Sequence, residues 1–408
     1  MKILLITHLL PYPPSGGVRI RNYNLLKEAS KNNDIYMLTF YQQAHLENPE
    51  KFDQYVMEIK EYCKHLEVFE IPTDNKKLAW YAMLLLNIFS FAPYSDWYFR
   101  SKKMKHAIKQ QIASNSFDVV EIGTIGLARY AKLAPDIPAV LVHHNIESAL
   151  IYRRSKAVKN WFSKVYLLLQ AWKLKRHEAL SGKYIKYHTT CSEEDKTILA
   201  KHCPDANIAV VPNGVDIEYF QPDNDLVEKN SLVFAGGLNW FPNLDAMIYF
   251  KNDIWPILKS KIPNISMNLI GMKPGRELLE FSKKDESFKV LGFVDDVRPY
   301  IAKAAVYVVP IRVGGGTRLK ILDAMAMGKA IVSDPIGCEG IDVSHGEDIL
   351  TGATPQEFAT HVIEILNNDE KRKKLEINAR DKMVRKYSWT SIGPLLNDVY
   401  IRTAAIIN

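Results

Sequence analysis

The run Val309-Pro310-Ile311-Arg312-Val313-Gly314-Gly315-Gly316-Thr317-Arg318-Leu319-Lys320-Ile321-Leu322-Asp323-Ala324-Met325-Ala326-Met327-Gly328-Lys329 passes from an apolar strand through a triple-glycine loop into a helix. Thr317 stands where a side-chain oxygen caps a helix, and Gly328 where a left-handed residue ends one. Strand, glycine loop and helix in that order turn free backbone N–H groups toward an anion. Arg318 and Lys320 add two cations at the same end, and Asp323 adds an acid one turn on. The run predicts a seat for a phosphorylated small molecule.

The same alternation extends outward in both directions. In the first half, strands are expected at 3–7, 35–40, 119–122, 139–142 and 189–192, with a loop at 8–17 and a helix at 19–30. In the second half they are expected at 208–211, 232–235, 266–270, 289–291, 306–311 and 330–333, with helices at 245–259, 297–303, 318–327 and 356–367. Alternating strands and helices imply parallel sheets covered on both faces. The expected fold is α/β: two doubly wound, Rossmann-like domains, at 1–195 and 196–385. Residues 386–408 form a separate amphipathic helix that either crosses back to the first domain or caps the second. Ligands of such sheets bind at the carboxyl ends of the strands, here expected in the cleft between the domains.

Composition agrees with two domains, because 408 residues exceed one ordinary core. Four cysteines without CxxC or finger spacing predict reduced thiols and a cytoplasmic setting. Residues 2–7 read as a strand, so no leader peptide is expected. The net charge of +7 is uneven: Arg153 to His177 carries eight Lys/Arg and no acid, interleaved with Trp161, Phe162, Val165, Tyr166, Leu168, Leu169 and Trp172. Two readings stand, a helix lying on an anionic membrane surface and a helix packing its apolar stripe on its own domain. Residues 78–95 are uncharged but short for a span, and Asn87, Ser90 and Pro93 interrupt them, which reads as a buried or interfacial helix. Nucleic acid is not an expected partner, since no stacking platform or recognised module is present.

Other readings of the glycine run fail on detail. The dinucleotide fingerprint GxGxxG lacks its final glycine at Leu319, and in a P-loop frame Gly328-Lys329 is followed by Ala330. A tight structural turn is the remaining alternative for the glycines, and an intrahelical ion pair with Lys320 the alternative for Asp323. As a site residue, Asp323 would accept from ribose hydroxyls. Ser15-Gly16-Gly17-Val18-Arg19 joins another strand to another helix, so Gly16 and Gly17 offer a second helix N-terminus. His143-His144-Asn145 ends a strand. The paired histidines suggest either metal ligation, for which no third ligand is spaced nearby, or a residue that contacts substrate or moves a proton. Asp223-Asn224-Asp225 imitates a metal-nucleotide motif and reads as a solvated turn.

Taken in order, the strand and glycine loop, His144-Asn145-Ile146-Glu147, Val211-Pro212-Asn213-Gly214-Val215-Asp216 and the glycine-rich Arg/Lys helix resemble the retaining glycosyltransferases of family 4, which have the GT-B fold. Phe234-Ala235-Gly236-Gly237-Leu238 with Trp240-Phe241-Pro242-Asn243 resembles one polysaccharide-type branch. The resemblance implies two domains facing across a cleft and a sugar moved from a nucleotide-diphosphate sugar to a glycan or lipid-linked acceptor. It implies a donor site at Gly16, Gly17, Gly237, Gly292, Val294, Gly315, Gly316, Thr317, Arg318, Lys320 and Asp323, with His144 at the reacting centre. Arg19, Asn145 and Asn213 are the expected acceptor or sugar contacts. No metal and no cofactor are expected, and the chain is expected in the cytoplasm, with a peripheral place at the inner membrane face where the membrane reading of 153–177 holds. Two departures stand out. Gly315 occupies the first place of the family's Glu-x7-Glu, with Asp323 at the second. Gly237 and Pro242 stand near where the family carries Arg and Lys. A non-catalytic nucleotide-sugar or phosphoglycan binding protein is the alternative that the first departure keeps open.

Overall fold

The computed structural model describes residues 1–42, 49–74, 76–223 and 227–407. The chain forms two compact units, Met1–Pro212 with Ile392–Asn408, and Asn213–Ser391. The first holds a sheet of β1 (Lys2–Thr7), β2 (Asp34–Tyr41), β3 (His65–Glu70), β4 (Val119–Ile122), β5 (Ala139–Val142), β6 (Tyr187–Thr190) and β7 (Asn207–Val210) in the order β3-β2-β1-β4-β5-β6-β7. The second holds β8 (Ser231–Ala235), β9 (Ser266–Ile270), β10 (Phe288–Gly292), β11 (Val306–Val309), β12 (Ile331–Ser333) and β13 (Leu350–Thr351) in the order β10-β9-β8-β11-β12-β13. The pairings of these strands are all parallel. The central strands are apolar on both faces, as helices on each side require: Ile3, Leu4 and Ile6 in β1 and Leu232, Val233 and Phe234 in β8 are fully buried.

Strand order decides where a ligand goes. Each order reverses once, between β1 and β4 in the first unit and between β8 and β11 in the second. At such a switch point the two connecting loops diverge to opposite faces and leave a crevice at the carboxyl edge. The loops after β1 and after β11 carry the two glycine clusters.

The helices that position functional residues are α1 (Gly17–Ser30), α2 (Lys77–Ile88), α3 (Glu147–Ala157), α4 (Trp161–Ser181), α5 (Phe241–Tyr249), α6 (Leu319–Ala326) and α7 (Trp389–Ala404). Their boundaries correct several expectations. The strand expected at 208–211 in the second domain is β7, the edge of the first sheet, with His188 opposite Ile208 and Thr189 opposite Ala209. The helix Glu193–His202 makes the crossover between β6 and β7, so the first unit runs past 195 to Pro212. The helix expected at 245–259 begins at Phe241 and breaks into a π-turn, Phe250–Ile254, ahead of Trp255–Lys261. Pro256 sits in the first turn of that last piece, where its missing N–H costs nothing. From Ile392 onward, α7 belongs to the first unit: Asn33 Nδ2 donates to Asn397 Oδ1 at 3.1 Å, and Tyr400 Oη donates to Glu121 Oε2. A side chain at Gly393 would strike Glu28 Cβ at 2.8 Å, so glycine sets how closely α7 approaches α1.

α4 divides along its length. Gln170, Ala171, Leu174, Glu178 and Ser181 pack inward, while Trp161, Phe162 and Val165 are exposed. The residues expected to be buried or interfacial at 78–95 include α2, most of whose side chains are exposed. Among the described residues no helix is long and apolar enough to cross a membrane. Of Asp223-Asn224-Asp225, the last two lie outside the described residues.

Candidate functional site

In the second unit the switch point gathers β8, α5, the glycine loop and α6. Lys320, in the first turn of α6, reaches across to β8, where its Nζ lies 4.3 Å from the centroid of the Phe234 ring. That ammonium donates to Asn243 Oδ1 at 2.7 Å, and Asn243 Nδ2 in turn donates to the Gly237 carbonyl at 2.8 Å. Gly236 makes room: a side chain there would collide with Lys320 Nζ. Burial pushes the Lys320 ammonium down to about 7, with repulsion from Arg318 adding to it and Asp323 opposing. Burial likewise pushes the Asp323 carboxyl up to about 7, with Lys320 opposing. A cation and an acid, both poised near neutrality, therefore lie close enough to shift one another.

The glycine loop has its own geometry. Gly314 and Gly316 take φ of 126° and 77°, values that other residues adopt only with strain. Arg318 Nη1 donates to the Gly316 carbonyl, folding the guanidinium onto the loop. The helix cap departs from expectation. Arg318, in extended backbone, is the N-cap, and α6 starts at Leu319. The left-handed turn at Gly316 leaves Thr317 one position outside the cap, with its hydroxyl buried and without a hydrogen-bond partner among the described residues. Gly328, at φ 62°, ends the helix as read. Lys329 is structural: it is fully buried, and its Nζ donates to the Ala302 and Ala304 carbonyls at 2.6 and 3.2 Å. At the end of β10, Gly292 has φ 72° and accepts from Gly271 N, Val294 packs on the core, and Phe293 between them is exposed. Asn213 opens the second unit.

In the first unit β1, β4 and β5 end together. The His8 and His144 rings lie 5.7 Å apart, His8 packing also on Phe99. Both ring nitrogens of His144 are buried, with the Gly123 backbone beside the ring. Burial, with repulsion from His8 and then Arg21, holds His144 well below the usual histidine range. It is a neutral imidazole at pH 7, able to offer one donor and one acceptor. His143 points elsewhere, stacking on His188 with 3.0 Å between Nε2 and Nδ1. The pair at 143–144 is thus split just past β5: His143 N still bonds Thr189 O on β6, while the chain bends at His144. Gly16, at φ 81°, is the N-cap of α1, and Gly17 is its first residue. Arg19, in the first turn of α1, is buried, and its Nη1 donates to Ser15 Oγ in the loop ahead of the helix. Asn145 follows His144, half-buried, ahead of α3.

The structure thus links Gly237 through Asn243 to Lys320, sets Arg318 and Asp323 beside that lysine, and sets His144 beside His8 in the loop that leads to Gly16 and Gly17. Three residues were missed. Asn243 and Gly236 hold and admit the Lys320 ammonium; the sequence signal was Pro242 marking the helix start, which makes residue 243 a first-turn side chain. Glu147 accepts from Thr124 Oγ1 at 3.2 Å, and burial beside Glu178 pushes it up to about 7. Among the described residues no group of three or more His, Cys, Asp or Glu is placed to hold a metal ion.

Residues 15–219 match the model of Glycosyltransferase Family 4, and residues 229–368 match Glycosyl transferases group 1. The chain belongs to glycosyltransferase family 4. An uncharacterized 44.6 kDa protein from the cps region of Klebsiella pneumoniae is 24% identical over 213 residues, which cover 50% of this chain and 55% of that protein. The chain therefore spans about half the length of that relative. An uncharacterized glycosyltransferase of Methanocaldococcus jannaschii is 24% identical over 413 residues, 98% of both chains. Among solved structures, Anabaena HepE in complex with UDP superposes with a TM-score of 0.66 at 15% identity, covering 98% of this chain and 100% of that one. The fold of this family 4 chain is GT-B, two Rossmann-like α/β units.

Proposed function

We propose that this chain transfers a sugar from a nucleoside diphosphate sugar to a glycan or lipid-linked acceptor, with retention and without a metal, at the cytoplasmic face of a membrane. The observation that carries the reading is Lys320, a half-buried ammonium on a helix N-terminus, held by Asn243 beside Phe234 and next to Asp323. Departure of the diphosphate develops negative charge on its β-phosphate. Arg318, Lys320 and the first-turn N–H groups of α6 are preorganised to meet that charge, which is the task a metal performs elsewhere. Asp323 accepts from the ribose hydroxyls, and Phe293, between Gly292 and Val294, lies against the base. His144 stays neutral and hydrogen-bonds the transferred sugar, with Gly16 and Gly17 presenting N–H groups to the phosphates. Retention follows when the acceptor attacks from the face the diphosphate leaves.

One observation favours a second reading, a binder without turnover: Gly315 supplies no carboxylate where the family has one to hold sugar hydroxyls. Incubating the full chain with a panel of nucleoside diphosphate sugars, with and without EDTA, separates the two. Release of nucleoside diphosphate that resists EDTA supports transfer. Calorimetric binding with no release supports the binder, and loss of release on chelation overturns metal independence.

A further inference from the structure

We infer that α2 and the first half of α4 form one membrane-docking surface that seats on an anionic bilayer. This deepens the proposed membrane location and rests on it only for the acceptor's whereabouts. The first observation is anomalous exposure. Phe89 is 85% and Phe162 67% exposed, and 15 of the 28 large hydrophobic side chains found exposed among the described residues lie between Leu78 and Trp172. A soluble surface rarely concentrates apolar side chains in this way without a partner.

The second observation is what binds the two helices into one face. Lys173 on α4 is fully buried, and its Nζ donates to the Asn87 and Ile88 carbonyls at 2.7 and 3.2 Å. Those are carbonyls of the last turn of α2, where Asn87 O also accepts from Ser90 N at 2.9 Å. Gln170 Nε2 donates to Asn87 Oδ1 at 3.0 Å, while its Oε1 accepts from Tyr94 N. The buried lysine on these carbonyls ties the end of α2 to α4, next to the exposed Phe91 and Trp172. Beyond the junction, Phe91 meets Trp172, and the Arg176 guanidinium lies over the Phe91 ring.

Charge selects the occupant. Between Arg153 and His177 there are eight Lys/Arg and no acid, and Lys156, Lys159, Lys164, Lys175 and Arg176 are exposed. α2 itself carries no charge beyond Lys77 at its start. Aromatic and aliphatic side chains bordered by cations match the boundary between acyl chains and anionic headgroups, with the apolar row sinking about 5–10 Å. A protein partner would need an acidic rim around an apolar centre. A second copy of this chain would set cations against cations.

The test uses the full chain, without donor, and vesicles of phosphatidylglycerol with phosphatidylcholine against phosphatidylcholine alone. Co-sedimentation with the anionic vesicles is expected, weakening as salt rises from about 0.1 to 1 M. The combined change Lys156→Glu, Lys159→Glu and Lys164→Glu is expected to lower partitioning by more than about a hundredfold, since each cation near such a surface contributes about fivefold. Phe89→Ser with Phe162→Ser is expected to abolish quenching of tryptophan fluorescence by brominated acyl chains while leaving the circular dichroism spectrum intact. Equal sedimentation with neutral vesicles, no sedimentation, or indifference to both variants overturns the inference. So does a self-association constant in sedimentation velocity that Phe89→Ser abolishes. Because vesicle binding is read without donor or turnover, failure of the transferase reading leaves this result untouched, and the reverse holds too.

Discussion

At the scale of single residues the second unit's pocket turns on an ammonium kept away from water. Under the proposed chemistry, Lys320→Met removes a cation aimed at the developing charge and should lower kcat/KM by about 10²–10³. The fold should survive, because a flexible apolar chain replaces a charge that burial disfavours; nucleotide release and a thermal melt check both. The pH dependence carries a sign. With its pKa depressed to about 7, Lys320 is charged below pH 7 and loses its charge above, so affinity for a nucleoside diphosphate, measured by calorimetry, should fall from pH 6 to 8.5. The terminal phosphate of a nucleoside diphosphate titrates in part of that range, near pH 6, and Asp323 titrates near 7, so Lys320→Met is the control for both and its slope should be flatter than that of the unchanged chain. Gly315 offers the complementary test. Within the Gly314-Gly315-Gly316 triplet positive φ falls at Gly314 and Gly316, so Gly314→Ala and Gly316→Ala should each cost about 1–2 kcal/mol in urea unfolding. Gly315→Glu should leave stability nearly unchanged and raise the ratio of transfer to donor binding. A Gly315→Glu protein that unfolds early, or that binds donor without faster release, counts against a sugar-holding role for that position.

At the scale of elements the last helix shows what buried polar contacts demand. Tyr400 on α7 donates to Glu121 on β4, a carboxyl that burial raises and that this hydroxyl and Arg21 pull back. Tyr400→Phe leaves the carboxyl without its donor and should cost about 1–3 kcal/mol. The loss should grow as pH rises through the raised value of that buried carboxyl, since the missing hydroxyl served the charged form; urea unfolding at pH 5 and 8 reads it. That contact spans 279 positions, and nothing local in the sequence announces it. What was legible came from local rules: apolar runs at β1, β8 and β11, glycine pairs after them, and Gly328 ending α6. What was not legible depended on partners far along the chain or on backbone geometry. The left-handed turn at Gly316 displaced the cap from Thr317 to Arg318, and pairing with β6 rather than with β8 decided where β7 belongs. Lys320 was readable as a cation at a helix start. Asn243, which aims it, was not, because the two meet only when β8 and β11 lie side by side.

At the scale of the molecule, the placement of β7 makes the unit boundary testable. Each sheet is complete within its own unit, and the second unit, Asn213–Ser391, also contains its own core from Phe234 and Phe250 to Phe358. Expressed alone, that fragment should unfold in one cooperative urea transition. The first unit is discontinuous, since Ile392–Asn408 returns to it and Tyr400 satisfies Glu121. A fusion joining 1–212 to 392–408 through a flexible linker should therefore fold, whereas the same fusion ending at 195 should not remain monomeric. Cutting at 195 removes β7 and strips β6 of the pairing of Tyr187 through Thr190 with Asn207 through Val210. It leaves a buried-type strand as an open edge, the feature that invites edge-to-edge association. Omitting 392–408 from the longer fusion should cost less than omitting β7, because it uncovers one helix face while the ladder stays whole. Light scattering and the urea midpoint rank the three fragments. If the 195 fragment proved as monomeric and as stable as the 212 fragment, β7 would be an ornament of the first sheet, and the unit would close at β6.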